Sequence, residues 1–122
     1  MSWTYSQRTG QLRHNGTLVS TGYSGAGTQH SQGRNNADMQ ATANAGPIPR
    51  GQWLIGAVTN SAQTGPNVLP LRPIGHNAFG RTAFQVHGNN SFNNASHGCI
   101  VLPLSARQLI ANSGDNVLHV QD

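Results

Sequence analysis

Short strings in which apolar and polar residues alternate run along the chain, separated by segments rich in glycine and asparagine. Trp3 and Tyr5 alternate with polar residues, which is the pattern of a half-buried β-strand. The Asn-Gly pair at 15–16 is a preferred two-residue hairpin turn because both residues tolerate positive φ. With a further turn at 9–10, residues 2–22 are predicted to form a β-meander.

Later apolar strings bounded by turn residues predict further strands at 52–59, 68–74, 83–87, 99–102 and 117–120. The string at 68–74 contains prolines, which cannot donate to a sheet ladder, so this strand is expected at a sheet edge. Residues 24–46 are polar and glycine-rich, and they predict a long surface loop with one helical turn near 36–41.

One helix is predicted after residue 104. Ser105 and Gln108 have the spacing of a capping box, in which each side chain accepts or donates at the other's backbone, and Gly114 follows as the stop signal. The pattern as a whole predicts a mainly β fold with one short helix. At 122 residues the chain has the length of one domain, covering residues 1–122.

Charged residues make up only 8% of the chain, against about 25% in an average domain. All seven basic residues are Arg and the three acids are Asp, so the helix formers Lys and Glu are absent and strands are favoured. The net charge of +4 suggests an anionic partner, which could be nucleic acid, a membrane surface or a cell-wall polymer. The arginines neither cluster nor interleave with aromatic residues, which argues against nucleic acid. No stretch approaches the ~18 apolar residues of a membrane-inserted segment.

The only cysteine ends the sequence Ser-His-Gly-Cys at 96–99, and a second His-Gly pair stands upstream at 87–88. A single Cys cannot form an internal disulfide, so the thiol is a small buried residue, a metal ligand or a nucleophile. Its polar and glycine neighbours do not suit an ordinary core. A thiol with the ordinary pKa of about 8.5 needs a base or a cation nearby to ionise at neutral pH. The pattern therefore favours an activated nucleophile at Cys99, with His87 and His97 within reach.

The two histidines reach the thiol by different routes. His97 precedes Cys99 by two residues, so on an extended strand both side chains would point to one face. His87 ends the preceding apolar string and would lie across the sheet from Cys99 if the two strings pair. A zinc site built from these three residues lacks an obvious fourth ligand, but it stays an alternative because catalytic zinc needs only three protein ligands.

The residues His87-Gly88 and Ser-His-Gly-Cys at 96–99 resemble the signature of the L,D-transpeptidase (YkuD-like) catalytic domain. The segments WTYSQRTGQLRHNG, GRNN, GPIPRGQW, FGRTAFQVHG and SHGCIVLP extend the likeness over nearly the whole chain. Together they are most similar to the short L,D-transpeptidase-like toxins that type VI secretion systems of Gram-negative bacteria deliver. The resemblance implies a single YkuD-like β-sandwich or barrel domain that uses neither a cofactor nor a metal.

The same resemblance implies a reaction. Cys99 would attack the carbonyl between diaminopimelate and the terminal D-Ala of a peptidoglycan tetrapeptide stem. His87 would act as general base and then acid, with its other ring nitrogen held by the carbonyl of Gly88. The thioacyl-enzyme would pass to water, as in an L,D-carboxypeptidase, or to a D-amino acid, as in an L,D-transpeptidase exchange reaction.

The remaining site residues follow the motif. Backbone N–H groups at 97–99 would stabilise the oxyanion, and Ser96 and His97 would orient the site. Ser96 and Gly98 are expected to contact the substrate. We also expect Arg81, six residues before His87, to bind the carboxylates of the stem.

Two features depart from the cell-wall housekeeping enzymes of this family. Those enzymes usually carry Arg two residues after the Cys, where this chain has Val101, so their substrate contacts at that position do not carry over. The short interval between the two His-Gly pairs implies a trimmed active-site lid. Both features agree better with the toxin branch.

Other functional classes remain as alternatives. A glycosidase needs two carboxylates about 5–10 Å apart, and with three Asp in the chain this class is nearly excluded. A papain-like peptidoglycan amidase or endopeptidase normally has its Cys before its His, and only His119 follows Cys99. A non-catalytic cell-wall-binding module would have no use for an activated thiol.

The N-terminal MSWTYSQRTG has neither a basic start nor an apolar core, so it does not predict a signal peptide. With the resemblance, this suggests a protein that is made in the cytoplasm and exported by the type VI secretion machinery. It would act on peptidoglycan in the periplasm of a target cell, and the producing cell would carry a periplasmic immunity protein. Neither nucleic acid nor membrane insertion is expected.

Overall fold

The computed structural model of the chain describes residues 2–122, and within them one α-helix and ten strands alternate with short 3₁₀ turns. The strands are β1 (Trp3–Ser6), β2 (Gln11–His14), β3 (Thr17–Thr21), β4 (Tyr23–Ser24), β5 (Gly51–Ile55), β6 (Thr59–Ser61), β7 (Gly65–Ile74), β8 (Gln85–His87), β9 (Ile100–Val101) and β10 (Val117–Gln121). The helix is α1 (Leu104–Asn112). The fold is mainly β with one short helix after Cys99, as the sequence predicted.

These strands form one sheet in the order β3-β2-β1-β10-β5-β7-β8-β9-β4, and β6 pairs with β7 beside this path. The pairs β1–β10 and β8–β9 are parallel, whereas the other neighbours are antiparallel. The long strand β7 joins the two halves of the sheet because residues 71–74 pair with β5 and residues 69–70 pair with β8. The first strand, β1, and the last, β10, are therefore neighbours within one half of the sheet.

The predicted meander over residues 2–22 is confirmed. β1, β2 and β3 pair antiparallel in sequence order. The turn between β2 and β3 is formed by Asn15 and Gly16, whose φ angles are 52° and 86°. Positive φ at both positions is what the favoured hairpin turn requires, so this local signal was sufficient to fix the turn.

One apolar core lies between the two halves of the sheet and the helix. Trp3, Trp53 and Leu118 come from the half that contains the chain ends, and each is at most 2% exposed. Val86 and Ile100 come from β8 and β9 in the other half and belong to the same cluster. Because both halves bury their side chains in one core, the continuous sheet has the two-sided packing expected of the sandwich or barrel class.

The prediction that the proline-containing strand lies at a sheet edge is wrong. β7 lies inside the sheet, with β5 on one side and β8 on the other. Pro70 pairs with Gln85 of β8, while its carbonyl accepts from the N–H of Gly56, just beyond the end of β5. The missing N–H of Pro70 therefore falls where the neighbouring strand has ended, and the ladder loses little.

The capping box predicted at Ser105 is not formed. α1 begins one residue earlier, at Leu104, and its N-cap is Pro103, which makes no side-chain cap bond. The extended backbone of Pro103 directs its carbonyl to the N–H groups of Ala106 and Arg107, at 3.1 and 3.2 Å. The predicted stop is confirmed, since the helix ends at Asn112 just before Gly114. No helix within residues 2–122 is long and apolar enough to cross a lipid bilayer.

The predicted loop between β4 and β5 is confirmed and contains two 3₁₀ turns, at His30–Gln32 and Ala37–Met39. Its beginning packs beside the Cys99 segment, since the N–H of Gly25 donates to Ser96 Oγ at 3.0 Å. Its end presents backbone carbonyls of Gln40, Gly46 and Pro47 to the side chain of Arg81. The loop thus forms one wall of the site described next.

Candidate active site

β8 and β9 bring the two halves of the sequence motif together. They run parallel, with Val86 opposite Ile100 and His87 opposite Val101. The predicted pairing of the two apolar strings is therefore present. Val86 and Ile100 belong to the core, and because side chains alternate along a strand, His87 and the position of Cys99 face the other side of the pair.

A cavity of about 580 Å³ opens on that side. His87, His97, Gly98 and Cys99 all line it, together with Arg81. Uncharged residues complete the lining, namely Ala43, Asn44, Gln63, Thr64, Gly80, Thr82, Ala83, Phe84, Gln85 and Ala95. The structure thus gathers five of the residues that the sequence singled out around one space large enough for part of a peptide.

His87 is held in one orientation by its neighbour in sequence. The side chain is 2% exposed, and Nδ1 lies 2.8 Å from the carbonyl oxygen of Gly88. A carbonyl can only accept, so Nδ1 carries the proton and donates it to this bond. The other ring nitrogen, Nε2, is then unprotonated in the neutral ring and is free to take a proton.

Burial lowers the pKa of His87 because it disfavours the charged imidazolium. The hydrogen bond to Gly88 acts in the opposite direction, and the positive charge of Arg107 lowers the pKa further. Arg107 lies on α1 behind the motif, where a Cβ placed on Gly88 would lie 2.8 Å from its Nη2. His87 is therefore neutral at neutral pH, which is the state a general base requires.

Cys99 lines the cavity with its side chain. Its Sγ donates toward the carbonyl oxygen of Ala83 at 3.5 Å. Burial raises the pKa of the thiol, while a backbone hydrogen bond at Gln85 and the charge of Arg81 lower it. The cavity therefore holds both a thiol whose pKa is raised and an imidazole whose pKa is lowered, and each effect favours the neutral form of its group.

The segment before Cys99 differs from the extended strand that was expected. Residues 97–99 form a bend, and Gly98 has φ of 139°, so the prediction that His97 and Cys99 share a strand face is wrong. A Cβ on Gly98 would lie 2.4 Å from Nη2 of Arg81, so this position needs glycine both for its backbone angle and for space. His97 lines the cavity nonetheless, with an exposed side chain whose Nδ1 is 3.4 Å from the carbonyl oxygen of Asn44.

Ser96 fixes the shape of this bend. The side chain is fully buried, and its Oγ accepts from the N–H groups of Gly25 and Gly98, both at 3.0 Å. The same hydroxyl donates to the carbonyl oxygen of Cys99 at 2.6 Å. Every partner of Ser96 is thus a backbone atom of the protein. Its expected contact with substrate stays a prediction, and the geometry favours a supporting role.

A second serine, Ser24 on β4, supports the bend from the other side. Its hydroxyl donates to the carbonyl oxygen of Gly98 at 2.9 Å and accepts from the N–H of Ile48 at 2.8 Å. Sequence reasoning missed both Ser24 and Arg107. Neither lies in a recognisable motif, and apart from the Leu102 carbonyl that Arg107 contacts, the hydrogen-bond partners of their side chains are 24 to 74 positions away along the chain, so no local signal marked them.

Arg81 contacts backbone carbonyls. Nη1 donates to Gln40 at 2.6 Å and Pro47 at 2.8 Å, and Nη2 donates to Gly46 at 2.9 Å and His97 at 3.3 Å. The expectation that Arg81 binds substrate carboxylates stays a prediction.

Metal binding finds no support in the side-chain arrangement. Across residues 2–122, no group of three or more His, Cys, Asp or Glu side chains is placed to hold a metal ion. His87, His97 and Cys99 therefore do not form the three-ligand zinc site considered as an alternative.

Comparison with known proteins agrees with this picture. A family model described as the Tlde1 domain matches residues 19–120. The fold is similar to the crystal structure of an L,D-transpeptidase from Xylanimonas cellulosilytica, with a TM-score of 0.55 and 17% sequence identity. The match covers 98% of this chain and 59% of that one, so this chain spans less than two thirds of the crystallised protein. No curated protein matches the chain significantly.

Proposed function

The chain belongs to the Tlde1 domain family of type VI secretion L,D-transpeptidase effectors, and from this premise we propose that it modifies peptidoglycan with Cys99 as nucleophile. The observation that carries the proposal is the shared cavity of Cys99 and His87, in which the Gly88 carbonyl leaves one nitrogen of His87 free for the thiol proton. The substrate is the tetrapeptide stem, at the bond between diaminopimelate and the terminal D-Ala.

The proposed reaction has two halves. In the first, His87 Nε2 takes the proton of the Cys99 thiol as Sγ attacks the diaminopimelate carbonyl carbon. The tetrahedral intermediate collapses to a thioester as the amine of D-Ala leaves with the proton from His87. In the second, water or the amine of a free D-amino acid attacks the thioester, and His87 accepts the proton from the attacking group and returns it to Sγ. Water yields a tripeptide stem, and a D-amino acid yields an exchanged tetrapeptide.

The oxyanion of the intermediate needs N–H donors near Cys99. Residues 97–99 were expected to supply them, and the N–H of Gly98 already donates to Ser96 Oγ at 3.0 Å. The N–H groups of His97 and Cys99 are therefore the candidates. This arrangement gives Ser96 and Gly98 the task of shaping the bend, and leaves the exposed ring of His97 to orient the stem at the cavity rim.

Mass spectrometry of purified tetrapeptide muropeptides tests the proposal. Incubation with the protein should release D-Ala, and adding a free D-amino acid should give a stem that carries it at position four. Cys99→Ala should abolish both products because the acyl-enzyme route has no substitute for sulfur. Turnover by a folded Cys99→Ala variant would contradict the proposal, and unchanged muropeptides with wild-type protein would leave the wall-binding module as the better description.

The two histidines separate in the same assay. His87→Ala should reduce turnover about as much as Cys99→Ala, because members of one catalytic unit are not additive. His97→Ala should cost less, since His97 is exposed and its one contact is a 3.4 Å approach to Asn44. An essential His97 with a dispensable His87 would reverse the assignment. A papain-like arrangement is disfavoured because His119 lies on β10, paired with Thr4 and Gln52, and does not line the cavity.

We also propose that the site of action is the periplasm of a target bacterium, since assembled peptidoglycan lies outside the inner membrane. The family supports the further proposal that a type VI secretion machine delivers the protein and that a periplasmic immunity protein protects the producing cell. Expression in the cytoplasm of a Gram-negative host should be tolerated, whereas fusion to an export signal should cause swelling or lysis that Cys99→Ala prevents. Equal toxicity from both compartments would point to a target other than the cell wall.

A further inference from the structure

The guanidinium of Arg81 is enclosed by backbone carbonyls. Each of its two terminal nitrogens has two N–H groups, and each contacts two carbonyl oxygens, at distances of 2.6 to 3.3 Å. Three of these carbonyls, at 40, 46 and 47, belong to the loop between β4 and β5, and the fourth belongs to His97. Arg81 thus ties this loop to the bend that carries Cys99, and the bonds occupy four of its five N–H donors.

No carboxylate neutralises this cation among the described residues 2–122. Asp38 is 3.7 Å from Arg8, Asp122 contacts Arg8 at 2.9 Å, and Asp115 pairs with His14. Arg81 is half-buried, and burial lowers its pKa while the neighbouring Cys99 raises it. Because no carboxylate neutralises it, the positive charge of Arg81 can stabilise a negative charge that develops nearby.

Cys99 is the group that can develop that charge. The titratable or charged residues that line the cavity are Arg81, His87, His97 and Cys99 itself. Nη2 of Arg81 lies against Gly98, where an added Cβ would be only 2.4 Å away, so the cation is packed next to the residue that precedes the thiol. The charge of Arg81 lowers the pKa of Cys99 against the larger effect of burial.

We propose that Arg81 is a positioning residue for the nucleophile, which clamps the 40–47 loop onto the His97–Cys99 bend and places its positive charge beside the sulfur, and that it does not bind the stem carboxylates. The proposal rests on the proposed function only where it treats Cys99 as the nucleophile. The carbonyls hold the guanidinium in place and leave its positive charge unneutralised, whereas a carboxylate partner would neutralise it. An arginine in this position stabilises the negative charge that develops on the sulfur as His87 takes the proton.

Alkylation of Cys99 by iodoacetamide tests the proposal without any peptidoglycan. The chain has one cysteine, so the rate of mass increase reports this thiol alone. The rate is measured across a pH series for wild type, Arg81→Gln, Arg81→Lys and Arg72→Gln. Arg72 is exposed on β7 and does not line the cavity, so Arg72→Gln controls for the loss of one positive charge. Circular dichroism and urea unfolding establish that each variant is folded.

Arg81→Gln should slow alkylation at pH 7 by about tenfold and move the pH profile upward by about one unit, because an adjacent opposite charge typically lowers a pKa by about one unit or more. Arg81→Lys should keep the profile within about half a unit, since it keeps the charge, and Arg72→Gln should match wild type. If Arg81→Gln alkylates like wild type, the charge has no role and the proposal is overturned.

Turnover of tetrapeptide muropeptides completes the test. Arg81→Lys should lose about tenfold in kcat, because one ammonium cannot bridge four carbonyls, with KM little changed. A variant that raises KM alone, with alkylation unchanged, would instead identify Arg81 as a substrate ligand and overturn the proposal. If Arg81→Gln does not fold, Arg81→Lys tests the proposal instead, because wild-type turnover by Arg81→Lys would exclude the clamp. Slowed alkylation in a protein whose wild type leaves muropeptides intact would support the role of Arg81 and reject the proposed function.

Discussion

The protonation state of His87 depends on three effects: burial, a hydrogen bond and a nearby charge. Burial is the strongest influence and lowers the pKa, the Gly88 carbonyl raises it, and Arg107 lowers it. The Gly88 contact could be predicted from the sequence, because Gly88 directly follows His87. The Arg107 contact depends on α1 packing behind the motif, and the guanidinium is anchored there by the carbonyls of Leu102, Pro66 and Asn67 at 3.0 to 3.1 Å.

Arg107→Gln should move the acidic limb of the pH profile of kcat/KM to higher pH. Removing the positive charge relieves one of the two effects that lower the pKa of His87, so the ring stays protonated, and inactive as a base, up to a higher pH. Activity should fall several-fold on the acidic side and remain near wild type on the alkaline side of that limb.

Arg107→Lys serves as the control for this prediction. It keeps the charge and should leave the limb close to wild type, although it loses part of the carbonyl contacts. An acidic limb that stays in place or moves to lower pH in Arg107→Gln would show that Arg107 does not act on His87 through its charge.

The bend at 97–99 is the element that the sequence described least well. The motif identified its residues, but the extended conformation expected for His97 and Cys99 is replaced by a bend with Gly98 at φ of 139°. The bend keeps its shape through the hydroxyl of Ser24, which lies on β4 and donates to Gly98, and through the hydroxyl of Ser96, which accepts from Gly25 in the loop after β4. These two contacts join residues that are distant in sequence, so neither periodicity nor local propensity predicts them.

Ser96→Ala should lower the free energy of unfolding by about 2–4 kcal/mol, because it leaves buried N–H groups of Gly25 and Gly98 and the carbonyl of Cys99 without their partner. Ser105→Ala is the matched control. Ser105 is exposed in the first turn of α1 and forms no cap, so its loss should change the free energy by no more than about 0.5 kcal/mol.

Urea unfolding followed by circular dichroism measures both serine variants. Equal effects of the two substitutions would mean that the Ser96 hydroxyl does not hold the bend. A large effect of Ser105→Ala would instead restore the capping box that the sequence suggested.

At the scale of the whole molecule, the sheet is completed by the two ends of the chain. β10 lies between β1 and β5, with Leu118 opposite both Trp3 and Trp53. These three side chains belong to the core that also contains Val86 and Ile100, from the half of the sheet that carries the candidate site. The strands that carry the site are therefore supported by a strand from the far end of the sequence.

Leu118→Ala should lower the free energy of unfolding by about 2–5 kcal/mol, since it empties a position that is 2% exposed. Leu109→Ala removes the same atoms from a side chain that is 55% exposed on α1. It should change the free energy of unfolding by no more than about 0.5 kcal/mol. Urea titration of both variants provides the comparison. Similar losses from the two would show that β10 does not support the core as described.

The sequence by itself determined which residues form the motif and several features of the local structure. The Asn-Gly turn at 15–16, the helix stop at Gly114 and the two halves of the His-Gly and Ser-His-Gly-Cys motif act within a few residues, so they could be identified without coordinates. The mainly β fold also followed, because alternation of apolar residues has a period that only strands satisfy.

The tertiary structure decided which distant groups meet. It placed β7 inside the sheet, because the missing N–H of Pro70 falls beyond the end of β5, and it began α1 at Leu104, where the carbonyl of the N-cap Pro103 accepts the first helical N–H groups. It also surrounded Arg81 with four carbonyls and brought the N–H of Gly25 to the hydroxyl of Ser96, 71 positions away. Such contacts arise because buried N–H and C=O groups must find partners wherever the folded chain brings them, and that requirement leaves no pattern along the sequence.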